Sequence, residues 1–287
     1  MSLALYLFAN KEMIDSPSNP VVKSLRALTE AKARRSNRQF LVEGVRAVED
    51  GLSAGFKPVT CLFNSELLSR TERGTALMRR LTRLSLPSMY EASERALEAA
   101  SDTMHPQGIV AAFPFLEWAV PAATKSAPLC LVCDDIRDPG NLGTLLRTAE
   151  AAGVHAVWTT PGTVDTYNPK VVRAAMGTHF RLPIFAERTW DMIERELNDV
   201  GIASDRLFCT ETHVNLAYDA VEWKLPAALV ISNEAHGLTS QARYACERGA
   251  SICIPMEAGT ESLNAAVAGA VILFEAARQR RQVTNDA

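Results

Sequence analysis

The sequence predicts an α/β protein, with a mostly parallel sheet covered by helices on both faces in its C-terminal part and a smaller α/β part before it. Three observations carry that reading. From Leu129 onward, apolar strands alternate with helical stretches, as they do when a parallel sheet is buried on both sides. The first 115 residues have a different rhythm, and an Ala-, Pro- and Ser-rich stretch, FLEWAVPAATKSAP, separates the two. Finally, 287 residues that are 47% apolar and 22% charged can bury one large core or two ordinary ones. The expected partition is an N-terminal domain over 1–115, a linker over 116–127 and a C-terminal domain over 128–287, with residues 1–17 extended or disordered.

In the first part, the patterns at 21–35 (VVKSLRALTEAKARR), 46–55 and 94–101 have helical spacing, while FLVEG, VTCLF and GIVAAF read as short strands. In the second, strands are expected at 129–133, 156–160, 181–185, 206–210, 227–232 and 251–256. Helices are expected at 141–153, 169–177, 189–201 and 240–249, with a long one over 262–281 closing the chain. No apolar run reaches the roughly 18–20 residues of a membrane span. The N-terminal SLALYLFA lacks the preceding cationic region of a signal peptide. A soluble, cytoplasmic protein is expected.

The net charge of −3 hides an asymmetry: residues 1–115 carry 15 Lys and Arg against 12 Asp and Glu, and the remainder 15 against 21. Within 21–40 stand Lys23, Arg26, Lys32, Arg34, Arg35 and Arg38 against Glu30 alone. Such a cluster can neutralise phosphates, or be the solvated face of a helix. Six cysteines are scattered through apolar segments, and the CxxC of Cys130 and Cys133 sits inside a strand. With no second CxxC and no His pair at zinc spacing, buried thiols and no metal are expected.

Three stretches could carry chemistry. DDIRDPGNLGTLLRTAEAAG (134–153) follows a strand and opens a helix, with Asn141 as its expected N-cap and Arg147 as its only cation. The G-x-G-x-x-G of a dinucleotide turn is absent, which counts against a nicotinamide enzyme. LVISNEAHGL (229–238) is an apolar strand ending in a turn, where open parallel sheets bind ligands. ICIPMEAGTESLNAAVAGAVILFEAARQR (252–280) enters a helix rich in small residues. Those residues suit close packing against another element, or against a second subunit.

The three stretches, in this order, resemble the motifs of the SpoU/TrmH-type RNA 2′-O-ribose methyltransferases of the SPOUT class. TYNPKVVRAAMGTHFRLPI, FLVEGVRAVEDGL and HPQGIVAAF are also similar to that family, and the likeness runs from about Asn19 to Arg281. It implies a C-terminal sheet closed by a deep trefoil knot, S-adenosylmethionine bound there, and obligate homodimers. The N-terminal part resembles the family's RNA-binding domain. That implies RNA contacts by Lys23, Arg26, Arg34, Arg35, Arg38, Glu43 and Arg46, with ribosomal RNA favoured over transfer RNA.

Carried over by motif, the catalytic residues would be Asn141, Arg147, Ser262 and Asn264. Cofactor contacts would come from Ser232, Glu234, Gly237, Ile254, Met256 and Leu263. Two positions depart from the family pattern: Ser232 replaces a glycine, and Asn264-Ala265-Ala266-Val267 replaces Asn-Val-Ser-Val. They motivate an alternative, an RNA-binding or ribosome-assembly protein that keeps the knot with little or no methyl transfer.

Overall fold

The computed structural model describes residues 12–84, 86–122, 127–212, 214–233, 236–257 and 262–285, with side chains to residue 281. By contact, the chain divides into two compact units. Residues to Leu116 join Tyr167–Phe180, and Glu117–Thr166 join Arg181 onward.

The first unit is built on a four-stranded sheet in the order β1-β4-β2-β3: β1 (Gln39–Glu43), β2 (Thr60–Phe63), β3 (Met89–Glu91) and β4 (Ile109–Pro114). β4 runs antiparallel to β1 and β2, and β3 parallel to β2. Around the sheet lie α1 (Pro20–Ala27), α2 (Ala31–Asn37), α3 (Val45–Ser53), α4 (Ser65–Ser69), α5 (Glu72–Leu84) and α6 (Glu94–Ala100). α1 starts where the Asn19 side chain accepts from the Val21 N–H at 2.8 Å, with Pro20 at the first helical position. It buries Val22 and Leu25 in a core shared with Leu97 and Val110.

The pattern at 21–35 predicts one helix, but the chain turns at Leu28–Glu30. Arg34 points inward, 2% exposed, and its guanidinium donates to the carbonyls of Leu28 at 3.0 Å and Thr29 at 2.7 Å. Carbonyls at a helix end need such partners. Arg34 is therefore a structural clamp, which corrects its assignment to RNA.

Tyr167–Phe180, expected in the C-terminal domain, packs within the first unit. Its helix α8 (Pro169–Ala175) lies on β1. Phe40 of β1 meets Tyr167 and Phe180 with ring centroids 4.6 and 5.8 Å apart.

The second unit carries six parallel strands in the order β10-β8-β9-β5-β6-β7. They are β5 (Leu129–Asp134), β6 (Ala156–Thr159), β7 (Ile184–Phe185), β8 (Leu207–Thr210), β9 (Ala227–Ser232) and β10 (Ala250–Ile252). The central β5 and β9 are buried at all six positions. α9 (Trp190–Val200) and α10 (Ser240–Cys246) cover one side, where Ile193, Leu197 and Ala242 meet Val132, Trp158 and Val230. α7 (Pro139–Ala151) and α11 (Ala265–Asn285) pack together. A Cβ on Gly269 of α11 would fall 2.4 Å from Leu145 Cδ2 of α7. The small residues of α11 thus serve a contact inside the chain. Trp118 and Val120, in the expected linker, pack against the core of this unit, whereas 123–126 lie outside the described residues.

The expectation for the cysteines needs one correction. Cys209 and Cys246 form a disulfide between β8 and α10, with Cα atoms 6.4 Å apart. α10 lies on the face of β8 that carries Cys209, a proximity that a separation of 37 residues does not announce. Cys61, Cys130 and Cys133 are free and buried, and burial pushes each thiol up to about 12. The CxxC is thereby inert. Among the described residues, no three His, Cys, Asp or Glu side chains gather as metal ligands, and no helix is long and apolar enough to cross a membrane.

Candidate active site

The strand order reverses between the neighbours β5, whose chain proceeds outward to β6 and β7, and β9, whose chain leaves the other way, past β8 to β10. In open α/β sheets, ligands bind beyond the carboxyl ends of strands at such a point. A cavity of about 500 Å³ lies on the β9 side of this point. Its walls come from the segments that follow β8, β9 and β10 and from the approach to α11.

Of the residues expected to hold the cofactor, Ser232, Gly237, Ile254, Met256 and Leu263 all line this cavity. Glu234 lies outside the described residues. The loop after β9 is held from below. Asn233 accepts from the Gly237 N–H with its carbonyl and from the His236 N–H with its side chain, while its amide donates to the Asp135 carbonyl at 3.0 Å. Gly237 has φ +66°, a left-handed value that suits glycine. Behind it, fully buried Asp134 accepts from the Thr239 N–H at 2.8 Å, from the Thr239 and Thr160 hydroxyls, and from the Trp190 indole.

The expected catalytic residues divide. Ser262 lines the cavity, and Asn264 stands two residues on. The Asn264 amide donates to Asn141 Oδ1 at 2.9 Å, while its Oδ1 accepts from the N–H groups of Ala266 and Val267 at 3.0 and 3.2 Å. Asn264 therefore caps α11 and ties it to α7. Asn141 itself is not the N-cap of α7. Asp138 takes that role, accepting from the Asn141 N–H at 2.7 Å, and the helix begins at Pro139. Asn141 then lies in the first turn with its side chain directed at Asn264. Two helix N-termini, each carrying a partial positive charge, are joined beside the cavity. Arg147 does not line the cavity of its own chain; it is exposed on α7. Val267 and Phe274 stand exposed on α11, at 49% and 43%.

Sequence reasoning missed Asp134 and the pair formed by Glu211 and Arg243. Both members of that pair line the cavity, 2.7 Å apart, and Glu211 also accepts from the Ser251 hydroxyl. Position at the carboxyl end of a strand, last in β5 for Asp134 and just past β8 for Glu211, was the signal available.

In the first unit, Lys23, Arg26, Arg35, Arg38 and Arg46 are exposed as expected. Arg38 sits at the start of β1, with its guanidinium 5.9 Å from the Phe115 ring centroid. Glu43 and Arg46 lie at the other end of β1, near Ser101, whose carbonyl accepts from Arg26.

These features define an α/β protein with a switch-point ligand cavity, its two helix N-termini tied by an asparagine pair, and a separate cation-bearing unit. The chain belongs to the SpoU rRNA Methylase family, whose profile matches residues 128–274, and residues 19–111 match the MRM3-like substrate binding domain. It is 34% identical to rRNA methyltransferase 3A, mitochondrial, of Danio rerio, over 86% of this chain and 65% of that one. It therefore spans about two thirds of that relative's length. It is 30% identical to the 23S rRNA (guanosine(2553)-2′-O)-methyltransferase of Bacillus subtilis, over 92% of this chain and 98% of that one. Among solved structures, the AdoMet-bound rRNA methyltransferase from Sinorhizobium meliloti has a TM-score of 0.79 and 31% identity, covering 93% of this chain and 97% of that one.

Proposed function

We propose that the chain transfers a methyl group from S-adenosylmethionine to a ribose 2′-hydroxyl of ribosomal RNA, working as a homodimer. The observation that carries this is the Asn141–Asn264 bond, which sets two helix N-termini beside a cavity lined by Ser262 and Leu263.

The cavity fits the cofactor. Its volume of about 500 Å³ falls in the range of small-molecule sites. Ile254, Leu263 and Ile272 offer apolar surface for a purine, and Ser232 and Thr210 offer hydroxyls for polar groups. When bound, S-adenosylmethionine supplies an electrophilic methyl group on a sulfonium. The chain's own contribution is position and field. The two N-termini favour negative charge as it gathers on the attacking oxygen. The Ser262 hydroxyl can hold the ribose by a hydrogen bond. A guanidinium offers donors and no acceptor, so Arg147 orients the phosphate and the hydroxyl, and the proton of the hydroxyl leaves to solvent. Holding the reacting atoms in place lowers the barrier by up to about 7–11 kcal/mol.

Two observations support the dimer. Val267 and Phe274 expose apolar surface on α11, and Arg147 is exposed and does not line the cavity of its own chain. Pairing of two copies through this face would supply another. The trefoil knot belongs to the same reading, as do ribosomal over transfer RNA, supported by the names of the relatives, and a cytoplasmic location beside assembling ribosomes.

The test is transfer of labelled methyl from S-adenosylmethionine to unmodified ribosomal RNA, with the site mapped by resistance of the 2′-O-methylated linkage to alkali. Label at a single ribose is the expected result; absence of transfer, or label on a base, overturns the proposal. The second reading, an RNA-binding assembly protein, draws on Ser232, a residue 8% exposed at the cavity wall. Calorimetry that shows no binding at millimolar cofactor would favour it.

A further inference from the structure

The first unit contains a cavity of its own. It measures about 330 Å³ and lies at the carboxyl end of β1, between the start of α3, the 101–107 loop and α8. Its walls are partly apolar, from Leu41, Ala47, Val172 and Met176. Its polar lining includes Arg46, His105 and Gln107, all exposed. No hydrogen bond or ion pair from these three side chains to another described residue is seen. We propose that this cavity receives one unstacked base of the RNA substrate, with Gln107 and Arg46 at its edge. The proposal rests on the RNA reading above and gives the first unit a specific task within it.

The cavity is braced, which argues against a chance gap between loops. Both carboxylate oxygens of Glu43 are engaged with the 101–107 loop: Oε1 accepts from the Asp102 N–H and Oε2 from the Thr103 hydroxyl, each at 2.7 Å. Arg173 of α8 pairs with the Asp102 carboxylate, also at 2.7 Å, fastening the opposite wall to the same loop. Gly44, at φ +93°, lets Gln107 approach; a Cβ there would stand 3.0 Å from Gln107 Oε1. Glu43 is thus a positioning residue that shapes the wall.

Chemistry selects the occupant. A flat aromatic base can lie against the apolar wall while its edge meets an amide that both donates and accepts. Sequence-selective RNA recognition works in this way, on bases splayed out of single strands, because the edges of an A-form helix are poorly accessible. The cations suit the attached backbone: Arg46 is at the mouth, and Arg26 donates to the Ser101 carbonyl beside the loop.

The test uses short oligoribonucleotides of each base, alone and annealed into duplexes, with affinity read by fluorescence anisotropy across a salt series. Ala47→Phe fills the cavity and should weaken single-strand binding about tenfold, leaving duplex binding and the salt slope unchanged. Arg46→Ala should weaken binding and reduce the slope by about one, as loss of one phosphate contact does. Should Ala47→Phe melt at a much lower temperature, the exposed Gln107→Ala replaces it, with a base-dependent loss expected. A wild-type protein that binds no RNA overturns the RNA reading together with this proposal. Wild-type binding with an indifferent Ala47→Phe, or with an indifferent Gln107→Ala where that variant replaces it, overturns the cavity alone. So does an equal loss on duplexes.

Discussion

Replacing Asn264 separates scaffold from catalysis, because this side chain does two jobs that different substitutions remove. Its Oδ1 caps α11 and its amide holds Asn141. Loss of a cap costs about 1 kcal/mol, and loss of a neutral hydrogen bond about 0.5–1.5 kcal/mol. Asn264→Ala removes both and should destabilise the second unit by about 2 kcal/mol, a melting shift of about 4–8 °C for a domain of this size. Asn264→Ser keeps a capping oxygen and loses only the tie, so it should shift about half as far. Their effects on the reaction should be alike and larger. Once α7 and α11 can move apart, a displacement of about 1 Å at the reacting atoms can lower the rate about 100-fold. The assay is single-turnover methyl transfer at saturating cofactor and RNA, beside a thermal melt of each variant. If Asn264→Ser melts as expected yet reacts at the wild-type rate, the tie is scaffold alone and the proposed role of the paired helix ends is wrong.

Three further outcomes are expected. Arg147→Ala, at an exposed position, should abolish methyl transfer with its melting temperature and cofactor affinity unchanged; an active variant removes Arg147 from the mechanism. Asp134→Ala strands the buried Thr239 N–H and Trp190 indole, costing about 3 kcal/mol in a denaturant melt, and should weaken cofactor binding in calorimetry as the loop after β9 loosens. His155 has its pKa lowered from the ordinary 6.5, mainly by burial and then by Arg280, and its Nδ1 accepts from the Leu129 N–H. Below 6.5 the unfolded chain binds the proton first, so the stability held above that pH should fall as the medium is acidified. In melts at several pH values, His155→Gln should show a shallower fall than the wild type.

The second unit was largely legible in the sequence because burial on both faces leaves a mark that needs no partner to be seen. β5 and β9 are continuous apolar runs and were expected within a residue of their ends. Contacts that depend on which apolar face meets which were not legible. Val171, Val172 and Ala175 give α8 an apolar stripe that would suit either unit, and only the rings of Phe40 and Phe180 in three dimensions show which one it covers. Arg34 illustrates the same limit for charge. At helical spacing it counts as one more surface cation, until the chain turns at Leu28 and leaves two carbonyls in need of a donor.

At the candidate site, the same physics separates the residues that a sequence pattern reveals from those that it hides. The motifs mark Asn141, Ser262 and Asn264, and two of these are bonded across 123 positions of sequence. The roles of backbone support were hidden. Asp138 and Asn141 are both good capping residues, and the choice between them depends on where Pro139 starts the helix. Asp134 looked like a charged residue ending a strand. Its burial is tolerable only because four donors surround it, and these come from segments as distant as Thr160, Trp190 and Thr239. A buried carboxylate is costly unless its partners are already assembled. The loop that walls the cavity is therefore held in shape by the folding of β5, β6 and α9, before any ligand arrives.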